Sequence, residues 1–340
     1  MTDSPNIAFV VCRGRSGSTL LQSIMDAHPA ICAPIESKFV LHLATRYGET
    51  TSWDKKTIAN FIDDLYSNRK FRLFWNVEKE RLRNDFSQHT INSFQEACRV
   101  VWMAYPSVFK KGNIEWIIDK NPPYSRYLDQ VKTLFPDAKF IYLTREPKAV
   151  VYSHIAAFGQ RHIYRLSLEW NLLNRCNLGF KNKYPQSVLQ MSYEELVRDP
   201  EANFKKVFDF LDMDFYPELL QSYQIRQKTI FKNPYLNLPH HRNITKPIDT
   251  ALIEKWRGNL SQREIRIIES ITAPMAKRLG YFAGEQKLKP GERLHLFFSK
   301  IEVNCIHWAY RLLFQLPFGM RKAIFDFVSL FFDRKYKEKP

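Results

Sequence analysis

The chain has 340 residues, 45% apolar and 25% charged, and its 51 Lys and Arg against 35 Asp and Glu give a formal net charge of +16. This is a globular composition, long enough for one large or two modest domains, and no apolar run reaches the ~20 residues that span a bilayer. The positive balance favours anionic ligands such as nucleotide phosphates, sulfated or acidic acceptors and lipid head groups, while the lack of zinc-finger spacing, an RNP-like motif or a long basic block argues against nucleic acid.

The N-terminal residues show neither a basic nor an apolar leader region, so a cytoplasmic enzyme is the expectation. Residues 7–11 form an apolar run of strand length, followed by Cys12-Arg13-Gly14-Arg15-Ser16-Gly17-Ser18-Thr19. A strand, a small-residue loop and a helix start build an anion cradle, because loop amides converge and the helix N-terminus adds partial positive charge. A nucleotide P-loop would carry a Lys before its hydroxyl pair; here Gly17 leads straight to Ser18 and Thr19, with Arg15 inside the loop. The following helix takes its apolar face from Leu20, Leu21, Ile24 and Met25 and ends near His28. The five cysteines, Cys12, Cys32, Cys98, Cys176 and Cys305, are scattered without CxxC spacing and read as reduced thiols.

Residues 49–112 form a long helical insertion rich in aromatics and bases. It reads either as a cap whose aromatics are core or as an acceptor-binding lid. Strand-length apolar runs recur at 114–118, 139–143 and 187–191, separated by helical stretches. That alternation predicts an α/β fold, a parallel β-sheet flanked by helices. The run 139–143 ends in Thr144-Arg145-Glu146-Pro147, and Pro147 suits the first turn of the next helix. Arg145 at the strand end and Ser153 on that helix can share the crevice at which open α/β sheets bind ligands. A guanidinium fork and a hydroxyl suit a phosphate monoester; with the first loop, they imply a ligand with two separate anionic groups.

Ser261-Gln262-Arg263-Glu264 is a capping box that opens a helix closing near Gly280, and Trp256 is read as lying on a helix just before it. Residues 286–292 look like a linker. Leu294, Phe297, Ile301, Cys305, Trp308, Leu312 and Leu316 then recur at helical spacing before Pro317 breaks the run. A second amphipathic stretch, 324–332, ends in a basic tail. The expected organisation is a catalytic domain over 1–285 and a C-terminal amphipathic helical extension over 286–340. The apolar face of that extension suits an anionic membrane surface (a peripheral association), the enzyme's own body, or a second subunit as a homodimer.

With these motifs in hand, the chain resembles the sulfotransferases that use 3′-phosphoadenosine 5′-phosphosulfate (PAPS). Arg15-Ser16-Gly17-Ser18-Thr19 is similar to their 5′-phosphosulfate loop, and residues 135–153 to their 3′-phosphate-binding strand and helix. Lys120-Asn121-Pro122 resembles the family's Lys-x-Pro segment and Tyr193-Glu194-Glu195-Leu196 its Tyr-Glu-x-Leu segment, where the Tyr lies near the adenine. The stretch from Asp26 through His28-Pro29 to Glu36 resembles the tyrosylprotein and Golgi-type members, in which a Glu stands 21 residues after the loop Arg, as Glu36 does after Arg15.

The resemblance implies Glu36 as general base and Lys120 as the cation that meets the bridging oxygen or the sulfonate. It implies that Arg15, the amides of Ser16–Thr19 and the Thr19 hydroxyl hold the phosphosulfate. Arg145 and Ser153 would take the 3′-phosphate, and Arg242 and Lys246 would close over the cofactor from a basic loop. His28 is read as structural and His154 as a weaker rival base. PAPS would be the co-substrate, and the scheme requires no metal because the sulfonate carries less charge than a phosphoryl group; nor does the sequence offer HExxH or the usual carboxylate clusters. The acceptor is a hydroxyl on a glycan, lipid, tyrosine or small alcohol. Two other readings stay open: a kinase with a degenerate phosphate loop, and an inactive adenylate-binding membrane scaffold.

Overall fold

The protein is represented by a computed structural model that describes residues 4–221, 247–282, 284, 286–324 and 327. In chain order its elements are β1 (Asn6–Cys12), α1 (Ser18–Ala27), β2 (Ile31–Cys32), α2 (Phe39–Tyr47), α3 (Lys55–Ser67), α4 (Arg69–Phe74), α5 (Lys79–Ser87) and α6 (Phe94–Met103). Then follow β3 (Trp116–Lys120), α7 (Leu128–Leu134), β4 (Lys139–Thr144), α8 (Pro147–Phe158), α9 (Ile163–Lys183), β5 (Val188–Ser192), α10 (Tyr193–Arg198) and α11 (Pro200–Leu211). After the segment 222–246, which lies outside the described residues, come α12 (Gln262–Arg278) and α13 (Pro290–Leu313).

The five strands form one parallel sheet in the order β2-β3-β1-β4-β5. β1 lies at its centre, and its nearly unbroken apolar sequence suits a strand covered on both faces. Alternate side chains feed two cores. Ile7, Phe9 and Val11 face the helical insertion, while Ala8, Val10 and Cys12 face α1 and α11. The register sets Val10 of β1 opposite Lys120 of β3, Cys12 opposite Leu143 of β4, and Thr144 opposite Ser192 of β5. The ends of four strands therefore open on one edge, where crossovers leave β1 to opposite sides and ligands bind in such sheets.

Two strands sit one or two residues later than their apolar runs predict. β3 continues through Asp119 and Lys120, and β5 reaches Ser192, because the strand ends turn polar where they leave the core. The two-residue β2 has no periodicity to detect.

The insertion contributes α3–α6, and its aromatics are core. Phe61, Phe71, Trp75, Phe86, Phe94 and Trp102 are buried in the same cluster as Phe9 and Phe39. Each such burial contributes about 1.5–3 kcal/mol, so these helices form a layer of the fold. Ser261 and Glu264 make the expected reciprocal cap of α12. Trp256, expected on a helix, lies in a series of turns and packs with Leu260 and Ile267. The stretch read as a linker already contains the start of α13, with Pro290 in its first turn and Glu292 closing its cap.

Candidate active site

The loop after β1 is held in shape by its own atoms. Ser16 Oγ donates to the Arg13 carbonyl at 2.6 Å. Arg15 and Gly17 both adopt left-handed backbone, with φ of 76° and 88°. A non-glycine residue held there costs on the order of 1 kcal/mol, and such strain gathers at functional sites. Gly17 has a second constraint, since a Cβ there would stand 2.2 Å from Cδ2 of Tyr193. Helix α1 then starts with no side-chain cap and no acidic residue in its first turn, which keeps its N-terminal field positive toward the loop.

Three guanidiniums converge on this loop. Arg15 Nε donates to Ser153 Oγ at 3.2 Å. Arg145 donates to the Arg15 carbonyl at 2.9 Å and to the Leu252 carbonyl at 3.0 Å, and its guanidinium lies 4.1 Å from the centre of the Tyr193 ring. Arg145 Nε is buried and has no hydrogen-bond partner among the described residues. Arg13 pairs with Glu169 of α9 at 3.1 Å. Burial, then the neighbouring Arg145 and Arg13, push the Arg15 guanidinium down to about 10. Such a cluster is relieved by an anion. The structure thus brings Arg15, Ser153, Arg145 and Tyr193, all four of them candidate cofactor residues in the sequence, together around the loop.

Tyr193 is fixed there because Ser192 both ends β5 and caps α10, with Glu195 reciprocating. Glu146 caps α8 through the Ala149 amide at 2.7 Å, with Pro147 in the first turn. Glu194 accepts from the Glu146 amide and from the Tyr281 hydroxyl, each at 3.0 Å. The Tyr281 hydroxyl also lies 2.9 Å from Thr144 Oγ1. That network joins the end of β4 to α10.

Lys120 leaves the end of β3 and meets Glu36, Nζ to Oε1 at 2.6 Å, with the lysine side chain 6% and the glutamate 29% exposed. The stretch before Glu36 is tied to α1: Gln22 donates to the carbonyls of Ala33 and Pro34, and Asp26 accepts from the Ala33 amide at 3.0 Å. Next to Lys120 along β3, Asp119 is buried and accepts from Asn121 at 2.5 Å. Burial pushes its carboxyl up to about 7.

His28 is buried, accepts from the Ala30 amide at 3.1 Å and stacks on Tyr216. Burial holds it below the usual imidazole range, in keeping with the structural part read for it. His154 is pushed down to about 4 by burial and Arg13, which makes it a weak proton acceptor. Thr19 is half-buried and Ser18 buried at the start of α1. Arg242 and Lys246 lie outside the described residues.

Sequence reasoning missed Arg13–Glu169, whose members stand 156 residues apart, and the Leu252 carbonyl. It also gave no role to Gln22 or Asp26, although a polar pair on an apolar helical face is a visible signal. Among the described residues no three His, Cys, Asp or Glu side chains converge as a metal site would need. A cavity of about 600 Å³ between the starts of α9 and α12 and the side of α13 touches none of the loop residues. Its arginines are already paired, Arg161 with Glu264 and Arg165 with Glu302.

Known proteins resemble this chain in sequence and in fold. The model of the sulfotransferase family matches residues 6–218. Protein-tyrosine sulfotransferase A of Caenorhabditis elegans is 25% identical over 281 residues, covering 78% of this chain and 65% of that protein. Protein-tyrosine sulfotransferase 1 of Danio rerio is also 25% identical over 281 residues, covering 78% and 70%. The chain thus spans about two thirds of the length of these relatives. Among solved structures, the sulfotransferase domain of the Synechococcus PCC 7002 olefin synthase superposes with a TM-score of 0.55 at 24% identity, covering 83% of this chain and 97% of that one. The sulfotransferase domain of the curacin biosynthetic pathway gives 0.52 at 22%, covering 82% and 99%. These two share the fold.

Proposed function

Because the chain belongs to the sulfotransferase family, we propose that it transfers the sulfonate group of PAPS to an acceptor hydroxyl, with Glu36 as general base. The observation that carries this reading is the Lys120–Glu36 pair at the strand ends, beside a loop where Arg13, Arg15 and Arg145 converge. A donor with two anionic ends suits such a cradle. The loop fits a tightly held anion: Gly17 has no room for a Cβ and Arg145 keeps a buried N–H without a partner among the described residues.

In this scheme Arg15, the amides of Ser16 to Thr19 and the Thr19 hydroxyl hold the 5′-phosphosulfate. Ser153 and Arg145 take the 3′-phosphate, and Tyr193 supports the adenine. Arg242 and Lys246 would add charge from their basic loop. Glu36 takes the proton of the acceptor hydroxyl as its oxygen bonds to sulfur. The bond from sulfur to the bridging oxygen breaks, and 3′-phosphoadenosine 5′-phosphate leaves with that electron pair. Lys120 and Arg15 stabilise the charge gathering on the bridging oxygen. The sulfonate carries less charge than a phosphoryl group, so these cations suffice without a metal.

The relatives named protein-tyrosine sulfotransferases put a peptide tyrosine first among acceptors to test, ahead of glycan, lipid and small-alcohol hydroxyls. No helix among the described residues is long and apolar enough to cross a membrane. The domain reading, a catalytic unit over 1–285 with 49–112 near the acceptor and an extension over 286–340, belongs to the same proposal. Radiolabelled PAPS incubated with tyrosine peptides, glycans, lipids and phenols tests the reaction. Label transfer that disappears in Glu36→Gln supports it; donor binding without transfer to any hydroxyl acceptor contradicts it.

A further inference from the structure

Helix α13 packs one narrow face, around Glu292 and Val303, on the protein and turns a broad apolar stripe toward solvent. Its two acids are both paired with the body: Glu292 with Arg263 at 3.2 Å and Arg266 at 2.6 Å, and Glu302 with Arg165 at 3.2 Å. Val303 is buried on the same side, and Arg126 meets His307 at 3.2 Å. Past the helix, Arg321 is fully buried and donates to the carbonyls of Leu41 and His42 on α2. The element is therefore anchored at both ends and along its length.

The opposite face carries Leu294, Phe297, Phe298, Ile301, Trp308 and Leu312, all exposed. Met320 and Ile324 continue the exposed apolar surface beyond it. At 3.6 residues per turn the stripe lies diametrically across from Glu292, Leu296 and Val303. Arg293, Lys300 and Arg311 recur at intervals of seven and eleven residues, which brings all three to one edge of the stripe. All three are exposed, and Arg311 lies 5.5 Å from the centre of the Trp308 ring. An apolar stripe with an interfacial tryptophan and a row of bases, on a helix whose two acids are both ion-paired to the body, has the pattern of a helix lying in a bilayer interface.

We propose that α13 is a membrane-docking helix that lies in the plane of an anionic lipid surface, with Leu294, Phe297, Phe298, Ile301, Trp308 and Leu312 inserted among the acyl chains and Arg293, Lys300 and Arg311 on the head groups. Charge decides the occupant. A second copy of this chain would bring an equally basic edge to the contact, whereas a phosphatidylserine surface complements it. The formal charge of +16 adds to the same attraction. Docking is independent of the sulfonate-transfer reading and rests on none of its residues.

Trp308 provides the test within the natural chain. It is 59% exposed, and the other six tryptophans are each 8% exposed or less. The full-length protein is mixed with phosphatidylcholine vesicles, with and without about 30 mol % phosphatidylserine, some carrying brominated acyl chains. The expected result is co-sedimentation only with the anionic vesicles, weakened by salt, with bromine quenching of the Trp308 emission that disappears in Trp308→Phe. Phe297→Glu with Phe298→Glu should abolish the quenching, and charge reversal at Arg293, Lys300 and Arg311 should lower partitioning about a hundredfold or more. Thermal melts identify any misfolded variant, and the quenching of the natural chain needs no variant. Absence of phosphatidylserine-dependent binding, or binding with Trp308 unquenched, would overturn the proposal. So would a stable dimer that Phe297→Glu and Phe298→Glu convert to monomer, since a second copy would then cover the face.

Discussion

Lys120 Nζ and Glu36 Oε1 stand 2.6 Å apart at the junction of β3 and the segment leading into α2. In the proposed mechanism, a carboxylate held by an ammonium is a poor proton acceptor, so Glu36 would serve as base once Lys120 turned to the oxygens of the donor. The pair would then make proton removal depend on donor binding. Glu36→Gln is expected to leave donor binding intact and lower kcat by roughly 10²–10⁴. Lys120→Ala should lower both kcat and donor affinity. Initial rates at saturating donor, with separate binding titrations, check both; a Glu36→Gln enzyme turning over at the normal rate would remove Glu36 from the mechanism.

Gly17 meets two demands at once, a φ of 88° and contact with the Tyr193 ring. Gly17→Ala should therefore cost about 1–3 kcal/mol of stability and weaken binding of 3′-phosphoadenosine 5′-phosphate (PAP) about tenfold or more as the loop shifts. Thermal melts and calorimetry measure the two effects. Binding equal to that of the natural protein would show that the loop tolerates displacement.

Asp119 links stability to pH. Its folded pKa of about 7 lies above the usual carboxylate value near 4, so the folded state binds the extra proton between these values. Its contribution is fully present below about pH 4 and is lost as pH rises toward about 7. The loss is on the order of 3–4 kcal/mol. Asp119→Asn keeps an acceptor for Asn121 and should flatten that part of the profile. Urea unfolding of both proteins from pH 4 to 8 tests it, and superimposable profiles would count against a raised Asp119.

Tyr281→Phe removes the hydroxyl shared by Glu194 and Thr144. The buried Glu194 carboxylate would lose one of its donors, at a cost of about 1–3 kcal/mol. A lower urea midpoint with donor binding little changed is the expected outcome. A large loss of donor affinity would mean that this network shapes the loop rather than bracing the sheet.

The site was legible where chemistry and periodicity coincide along the chain. The apolar run of β1 leading into Gly17 and Ser18 marks the loop, and Pro147 after Arg145 marks the turn into α8. Two-residue β2 leaves no pattern. The Arg13–Glu169 pair joins positions whose separation no local rule spans. In α13 the helical period was visible, but periodicity reveals an apolar face without saying what covers it. Ion pairs through Glu292 and Glu302 turn that face outward, contrary to the alternative in which it packs on the enzyme's own body.

Calorimetric titration of PAP against AMP and ATP shows whether the donor is held by both its phosphate ends. Micromolar binding of PAP, much weaker binding of AMP, none of ATP, and loss of PAP binding in Arg145→Ala are expected. AMP or ATP binding as tightly as PAP would contradict a two-ended hold, because a site built for the 3′-phosphate must distinguish ligands that lack it.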